Sequence, residues 1–270
     1  MERIRRNERL AALTKLLTAS PNKIHTLSQF CELFGSAKST LSEDIDILRA
    51  VYKNFGLGKL DTVTGAAGGV RYRPYMEKKD ARAFLEELCK ELQNPSRLLP
   101  GGFLYLSDIL SMPDIVRQMG IIIAGEFYEA APDFVLTMET KGIPVALMTA
   151  QSLGVPLVIA RRSSKVYEGS AVNINYVSGS SGHIETMSLS RRAVKEGQKT
   201  LIVDDFLKAG GTAKGMIDLM SEFNVEVVGT AFVMSKTQQQ NKLIQGEKAL
   251  MTLEVGSDVN SLSIKPADWL

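Results

Sequence analysis

Thr200-Leu-Ile-Val-Asp-Asp-Phe-Leu-Lys-Ala-Gly-Gly-Thr212 is the stretch that decides the fold. Leu201, Ile202 and Val203 are apolar and partly β-branched, as in a strand buried on both faces. Two acids follow, Asp204 and Asp205, and then Phe206, Leu207, Lys208 and Ala209. Gly210, Gly211 and Thr212 lead into Met216, Leu219, Met220 and Phe223, whose spacing predicts a helix. In an open α/β sheet, ligands bind in the crevice beyond the carboxyl ends of the strands. Free amides at a helix start favour phosphate. The two carboxylates suit a pair of sugar hydroxyls, so the stretch predicts a ligand with both a phosphate and a diol, such as a ribose 5-phosphate.

Outward from this stretch, strands and helices alternate, which predicts an α/β domain with a mainly parallel sheet. Pro113 opens a helix to about Ala130, and Phe134–Met138 is a buried strand. Thr140, Lys141 and Gly142 form a short loop into a helix over Ile143–Leu153. Val155–Ala160 is another strand, with Arg161 at its end and Lys165 just beyond. Residues 163–192 read as a long polar insertion, of the kind that forms lids or disordered segments. Val225–Met234 is expected to be the last core strand. Phe103, Tyr105 and Trp269 are expected to pack in the core.

The front of the chain has a different character. Residues 1–75 carry 12 Lys and Arg against 7 Asp and Glu, whereas the remainder carries 20 against 23. A basic front suggests a polyanionic partner. Arg3, Arg5 and Arg6 form a basic arm. Leu10, Leu13, Leu16 and Leu17 mark a first helix, and Thr26 caps a second through Phe34. Gly35 breaks that helix and Ser36 is expected to cap a third, from Ala37 to about Phe55, with Leu41, Ile45, Leu48 and Tyr52 inward. Its first turn presents Lys38, Ser39, Thr40 and Ser42, as in a helix-turn-helix. The later Glu43, Asp44 and Asp46 would be repelled by phosphate. Strands at Leu60–Thr64 and Val70–Tyr75, joined through Gly65–Gly69, make a wing carrying Arg71 and Arg73. Residues 1–74 are therefore expected to be a winged helix-turn-helix (α+β) DNA-binding domain, and 75–270 a connector helix, Lys78–Leu92, followed by the α/β ligand domain.

Several classes find no support. No apolar run approaches the ~18 residues of a membrane span, and the Arg-rich start lacks the apolar core of a secretory signal. Cys31, Cys89, His25 and His183 are isolated, with no metal-type spacing and no triad partner. A cytoplasmic protein with reduced thiols is expected.

Thr200–Thr212 resembles the phosphoribosyl-pyrophosphate (PRPP) signature of the type I phosphoribosyltransferases. The resemblance extends to Thr140-Lys141-Gly142, which matches the family's pyrophosphate loop, and to 163–192, which matches its flexible loop. It implies that Asp204, Asp205, Phe206, Leu207, Lys208, Ala209, Gly210, Gly211 and Thr212 grip ribose and 5′-phosphate. It implies that Thr140, Lys141, Gly142, Arg161 and Lys165 meet pyrophosphate, and Mg2+ can join through water at the acids. Ala209 stands where active transferases usually have Thr. Over residues 3–235 the chain is similar to the purine operon repressors of Gram-positive bacteria. That similarity rests on Ser36-Ala-Lys-Ser39 with Ser42-Glu-Asp44, Gly65-Ala-Ala-Gly-Gly-Val70, Leu99-Pro-Gly-Gly102, Tyr176-Val-Ser-Gly-Ser-Ser181 and Asp204–Thr212. This resemblance implies a homodimeric, non-enzymatic regulator of purine genes on duplex operator DNA. In that family PRPP relieves repression, and guanine nucleotides such as guanosine tetraphosphate (ppGpp) compete for the site. The alternative is an active purine phosphoribosyltransferase with an added nucleic-acid-binding domain.

Overall fold

The computed structural model describes residues 4–65, 68–99, 103–163, 169–178, 182–237, 242–255 and 262–270. Arg3 and Lys165, together with parts of the Gly65–Val70, Leu99–Gly102 and Tyr176–Ser181 motifs, lie outside the described residues. The chain divides into two compact units. One is Met1–Glu77 with Gln151–Gly154, and the other is Lys78–Ala150 with Val155–Leu270.

In the first unit, α1 (Arg6–Ala19), α2 (Leu27–Phe34) and α3 (Lys38–Phe55) precede a hairpin, β1 (Lys59–Val63) and β2 (Gly69–Arg73). Leu13, Leu17, Phe30, Leu41, Ile45, Leu48, Tyr52, Leu60 and Val70 form one core, which includes all four residues expected on the inner face of α3. Thr26 and Gln29 cap α2 reciprocally, through Gln29 N–H to Thr26 Oγ1 (3.2 Å) and Thr26 N–H to Gln29 Oε1 (3.0 Å). Gly35 ends α2 with φ +57°. The expected Ser36 cap does not form. Its hydroxyl donates back to Phe34 O at 3.2 Å, and Ala37 takes the N-cap position of α3. His25 and Val70 exchange backbone hydrogen bonds of 2.9 Å, which pins the wing to the start of α2. Gly69 permits this approach, because a Cβ there would lie 2.1 Å from His25 O.

The second unit is a six-stranded sheet in the order β12-β11-β10-β9-β5-β6. These strands are β5 (Phe134–Met138), β6 (Leu157–Ala160), β9 (Lys199–Leu207), β10 (Glu226–Lys236), β11 (Lys248–Val255) and β12 (Leu262–Pro266). All neighbours are parallel except the β11–β12 pair. Helices α4 (Lys78–Leu92), α5 (Pro113–Phe127), α6 (Ile143–Leu153) and α7 (Gly211–Glu222) accompany them, as do a short ribbon, β3 (Leu98–Leu99) with β4 (Phe103–Leu104), and a hairpin, β7 (Ala171–Val177) with β8 (Ile184–Ser190). The β5–β9 adjacency, with Phe134 opposite Thr200, places the ends of both strands together.

Four expectations change. The 163–192 insertion is largely the β7–β8 hairpin. Val172, Ile174 and Tyr176 alternate with Asn173 and Asn175, and the apolar set packs onto α7 with Met187 and Leu189. Met234 does not end the last core strand, because β10 runs to Lys236 and β11 and β12 follow it. Helix α4 belongs to this unit rather than standing as a bare connector: Gln93 Nε2 just beyond it donates to Ile264 O at 3.2 Å, and Lys78 Nζ to Trp269 O at 3.0 Å. Tyr105 is exposed rather than in the core. Trp269 is half-buried and donates from Nε1 to Ala249 O at 2.6 Å.

Candidate functional site

A pocket of about 630 Å³ opens at the carboxyl ends of β5, β9 and β10. One wall is the stretch Asp204–Ala213. Strand β9 runs through both acids to Leu207 before the chain turns, so the carboxylates sit on the strand's last residues rather than beyond it. The turn closes at Gly210 (φ +85°), the N-cap of α7, where an L side chain would be strained. Among the described residues no side chain caps α7. The amides of its first turn are therefore available to an anion, and the helix dipole adds to their pull.

The second wall is the loop after β5, with Glu139, Thr140 and Lys141. The Glu139–Thr140 peptide is cis. Gly142 lies behind them against the β9 acid: a Cβ at 142 would be 2.1 Å from Asp204 Oδ1 and 2.7 Å from Thr137 Oγ1. The two loops are thus in steric contact, and only a glycine fits between them. Asp204 is buried, and its Oδ1 accepts from the Asp205 amide at 2.9 Å. Burial, then the neighbouring Asp205 charge, pushes the Asp204 carboxyl well above the usual carboxylate range. Two adjacent carboxyl groups on a pocket wall offer hydrogen-bonding partners for the two hydroxyls of a diol.

The structure brings Asp204, Asp205, Phe206, Leu207, Lys208, Ala209, Gly210, Gly211, Thr212, Thr140 and Lys141 onto this pocket, with Gly142 directly behind. Arg161 is not on it. Its backbone pairs with Ser188 of β8 (3.0 and 2.7 Å) and its Nη1 lies 3.8 Å from Glu139 Oε2 of the second wall, while Arg162 reaches the pocket instead. Sequence reasoning also missed Leu104, Leu106, Met138, Phe232 and Lys236, which complete the lining. Only Lys236 carried a visible signal, as a lysine closing a long apolar run. Gly210 is further braced by a downstream segment, through Leu243 N–H to Ala209 O at 3.0 Å and the Ile244 side chain beside it.

On the first unit, Lys38, Ser39 and Ser42 are exposed on the first turn of α3, with Thr40 half-buried. The charges around them are not as expected. Asp44 is fully buried and accepts from Arg9 Nε (2.8 Å) and Arg6 Nε (3.0 Å), so it is no repelling surface charge. Arg6 also pairs with Glu43 at 2.7 Å, while Arg5 remains exposed. Arg71 and Arg73 lie 3.7 and 3.3 Å from Asp61 and are half-buried. Their charge is partly spent within the wing rather than displayed whole.

Comparison with known proteins agrees with this division. Residues 5–74 match the family described as "Bacterial purine repressor, N-terminal", and residues 106–266 match the "Phosphoribosyl transferase domain". The chain is 44% identical over 269 residues to the purine biosynthesis transcriptional repressor PurR of Bacillus subtilis (strain 168), covering 99% of this chain and 94% of that protein. It is 41% identical over 251 residues to the purine biosynthesis transcriptional activator PurR of Lactococcus lactis subsp. lactis (strain IL1403), covering 93% of each. A xanthine phosphoribosyltransferase of Geobacillus thermodenitrificans (strain NG80-2) is 31% identical over 159 residues, 57% of this chain and 82% of that one. Among solved structures, the adenine phosphoribosyltransferase of Thermoanaerobacter pseudethanolicus superposes with a TM-score of 0.52 at 21% identity, over 62% of this chain and 96% of that one, which is a likeness of fold. By sequence along nearly its whole length and by the fold of its larger unit, the chain belongs to the bacterial purine repressor family, with that family's N-terminal domain ahead of a phosphoribosyltransferase domain.

Proposed function

We propose that this protein is a DNA-binding transcriptional repressor of purine biosynthesis genes whose operator affinity is set by PRPP. One observation carries the reading. A pocket built from a glycine phosphate loop and a buried acid lies in a chain that also carries a purine repressor N-terminal domain. The α7 amides from Gly211 to Ala213 take the 5′-phosphate, Asp204 and Asp205 the ribose diol, and Thr140, Lys141 and Arg162 the pyrophosphate. The acids also offer the oxygen donors that Mg2+ prefers beside phosphates, and the ion would neutralise part of the ligand's charge when bound. Guanine nucleotides such as ppGpp compete for the same pocket and reinforce operator binding. The protein acts as a homodimer, as repressors of two-fold operators do.

For PRPP to relieve repression it must bind the DNA-free state more tightly than the DNA-bound state. A titration of operator binding against PRPP, with and without ppGpp, tests this. Operator affinity should fall with PRPP, and ppGpp should oppose the fall. An operator affinity that does not change at saturating PRPP sinks the sensing role. The relatives named activators make the sign of the output a matter for a promoter fusion, read in cells with and without the gene.

A second reading, an active purine phosphoribosyltransferase, is favoured by the likeness to xanthine phosphoribosyltransferases. Ala209 weighs against it by removing one hydroxyl donor from the phosphate loop. Supplying PRPP with each purine base separates the two, because nucleotide formed at enzyme-like rates would establish the transferase.

A further inference from the structure

One cluster ties the pocket to the β7–β8 hairpin. Arg162 follows β6, and its backbone N–H donates to Glu139 Oε1 at 2.8 Å. Its Nη1 donates to Glu185 Oε2 on β8 at 3.0 Å. The same carboxylate oxygen accepts the Tyr176 hydroxyl of β7 at 2.9 Å. The Tyr176 ring stands over Gly215 of α7, where an added Cβ would come within 3.0 Å of it. A single carboxylate thus gathers the pocket's arginine and the tyrosine that packs on the phosphate-loop helix. The side chain of Arg162 is 60% exposed and that of Glu185 only 23%. The guanidinium is the movable partner, and Glu185 is anchored.

An arginine on the wall of an anion pocket that is already paired with a carboxylate of its own chain has two uses. Either the pair is a fixed strut or it is exchanged when the anion arrives. The exposure of the Arg162 side chain favours exchange, because an arginine that is largely in solvent can turn toward an anion at little cost to itself. A diphosphate offers that arginine a doubly charged, bidentate partner. Glu185 loses less than it would alone, since it keeps the Tyr176 hydroxyl.

We propose that Glu185 is a built-in competitor for the ligand's anionic groups, holding Arg162 in the empty pocket and yielding it to a bound diphosphate. This rests on the anion-binding reading of the pocket. The exchange lowers ligand affinity below what the two loops alone would give. It also breaks the Arg162–Glu185 bond to β8 whenever the pocket fills, while the Arg161–Ser188 backbone bridge stays, so occupancy is relayed to the hairpin at Glu185.

The test is calorimetric titration of inorganic pyrophosphate, and of PRPP, into the full chain. Glu185→Gln removes the charge and keeps an acceptor for Tyr176. It should tighten pyrophosphate binding about three- to fivefold, the scale of an exposed ion pair. In an Arg162→Ala background the same substitution should change nothing. If it tightens binding equally in both backgrounds, Glu185 acts by simple repulsion of the anion and the exchange is overturned. Unchanged or weaker binding in Glu185→Gln, with a normal thermal transition, also overturns it. Tyr176→Phe takes a donor from Glu185 and should weaken pyrophosphate binding, so tightening there counts against the proposal even if Glu185→Gln folds poorly. Wild-type protein that binds neither ligand removes the pocket reading itself. Binding without the Glu185 effect removes only this inference.

Discussion

Gly142→Ala isolates the contact between the two loops of the pocket. The backbone at 142 lies outside the left-handed region, so alanine is tolerated there conformationally and the effect is one of space. The new methyl would sit 2.1 Å from Asp204 Oδ1, 2.7 Å from Thr137 Oγ1 and 3.0 Å from Asp204 Cα. An ordinary C···O contact is about 3.3 Å, so the carboxylate must retreat by roughly 1 Å. Hydrogen bonds to a ligand diol do not survive that displacement, since they need a separation near 2.7 Å and fail beyond 3.5 Å. Losing one or two such bonds costs about 1–3 kcal/mol, or roughly 5- to 150-fold in Kd. The assay is calorimetric titration of PRPP, with operator binding in the absence of PRPP as the control for folding. Operator binding should be unchanged, and the operator response should shift to correspondingly higher PRPP. A variant that folds normally and binds PRPP within about threefold of wild type would refute a grip on the diol by Asp204.

Asp204→Asn should abolish PRPP binding and yet raise the thermal midpoint at neutral pH. Because burial and Asp205 raise the Asp204 pKa, this group favours the folded state at low pH, and that contribution is lost as pH rises through the raised value. The gain from asparagine should therefore shrink as pH falls toward the ordinary carboxylate range, and a gap that is constant with pH would count against it. Asp44→Ala leaves the Arg9 guanidinium, 9% exposed, without its carboxylate. It should destabilise the first unit by about 3–5 kcal/mol, measured in urea, and a loss under 1 kcal/mol would mean that Arg9 finds water.

Legibility differed from element to element for physical reasons. The bounds of α4, α6 and β5 were recoverable to the residue, because each is an apolar pattern ended by a breaker or a charged turn. The Asp204–Thr212 wall was legible because the chemistry is local: strand, acids and glycines follow one another in the chain. What escaped was non-local. Arg161 and Arg162 are adjacent and identical in type, yet only Arg162 lines the pocket, while Arg161 is bridged to Ser188. Phe232 and Lys236 reach the pocket through sheet order and Leu104 from the separate β3–β4 ribbon, and no short window of sequence contains either. Asp44 looked like a surface acid because nothing near it in sequence announces Arg9, which lies one helix away in space. The β7–β8 hairpin was the avoidable loss. Its period-two alternation is plain in Val172, Ile174 and Tyr176, but the polar residues between them suggested a loop.

The adjacency of β5 and β9 also determines when in the life of the molecule its pocket comes into being. Phe134 and Thr200 pair across a long separation, and Thr200 Oγ1 donates to Phe134 O at 3.2 Å to hold them. Neither loop is useful until this pairing is made, and parallel pairing of distant segments is intrinsically slow. The hydrophobic core of the first unit draws only on residues from Ile4 to Tyr72, which leave the ribosome ahead of the second unit. A nascent chain therefore can complete the core of α1–α3 and the wing well before it has the pocket. The pocket is complete only when translation has passed β9, β10 and the Leu243–Ile244 brace, and nothing that binds there has a hold on the protein until then.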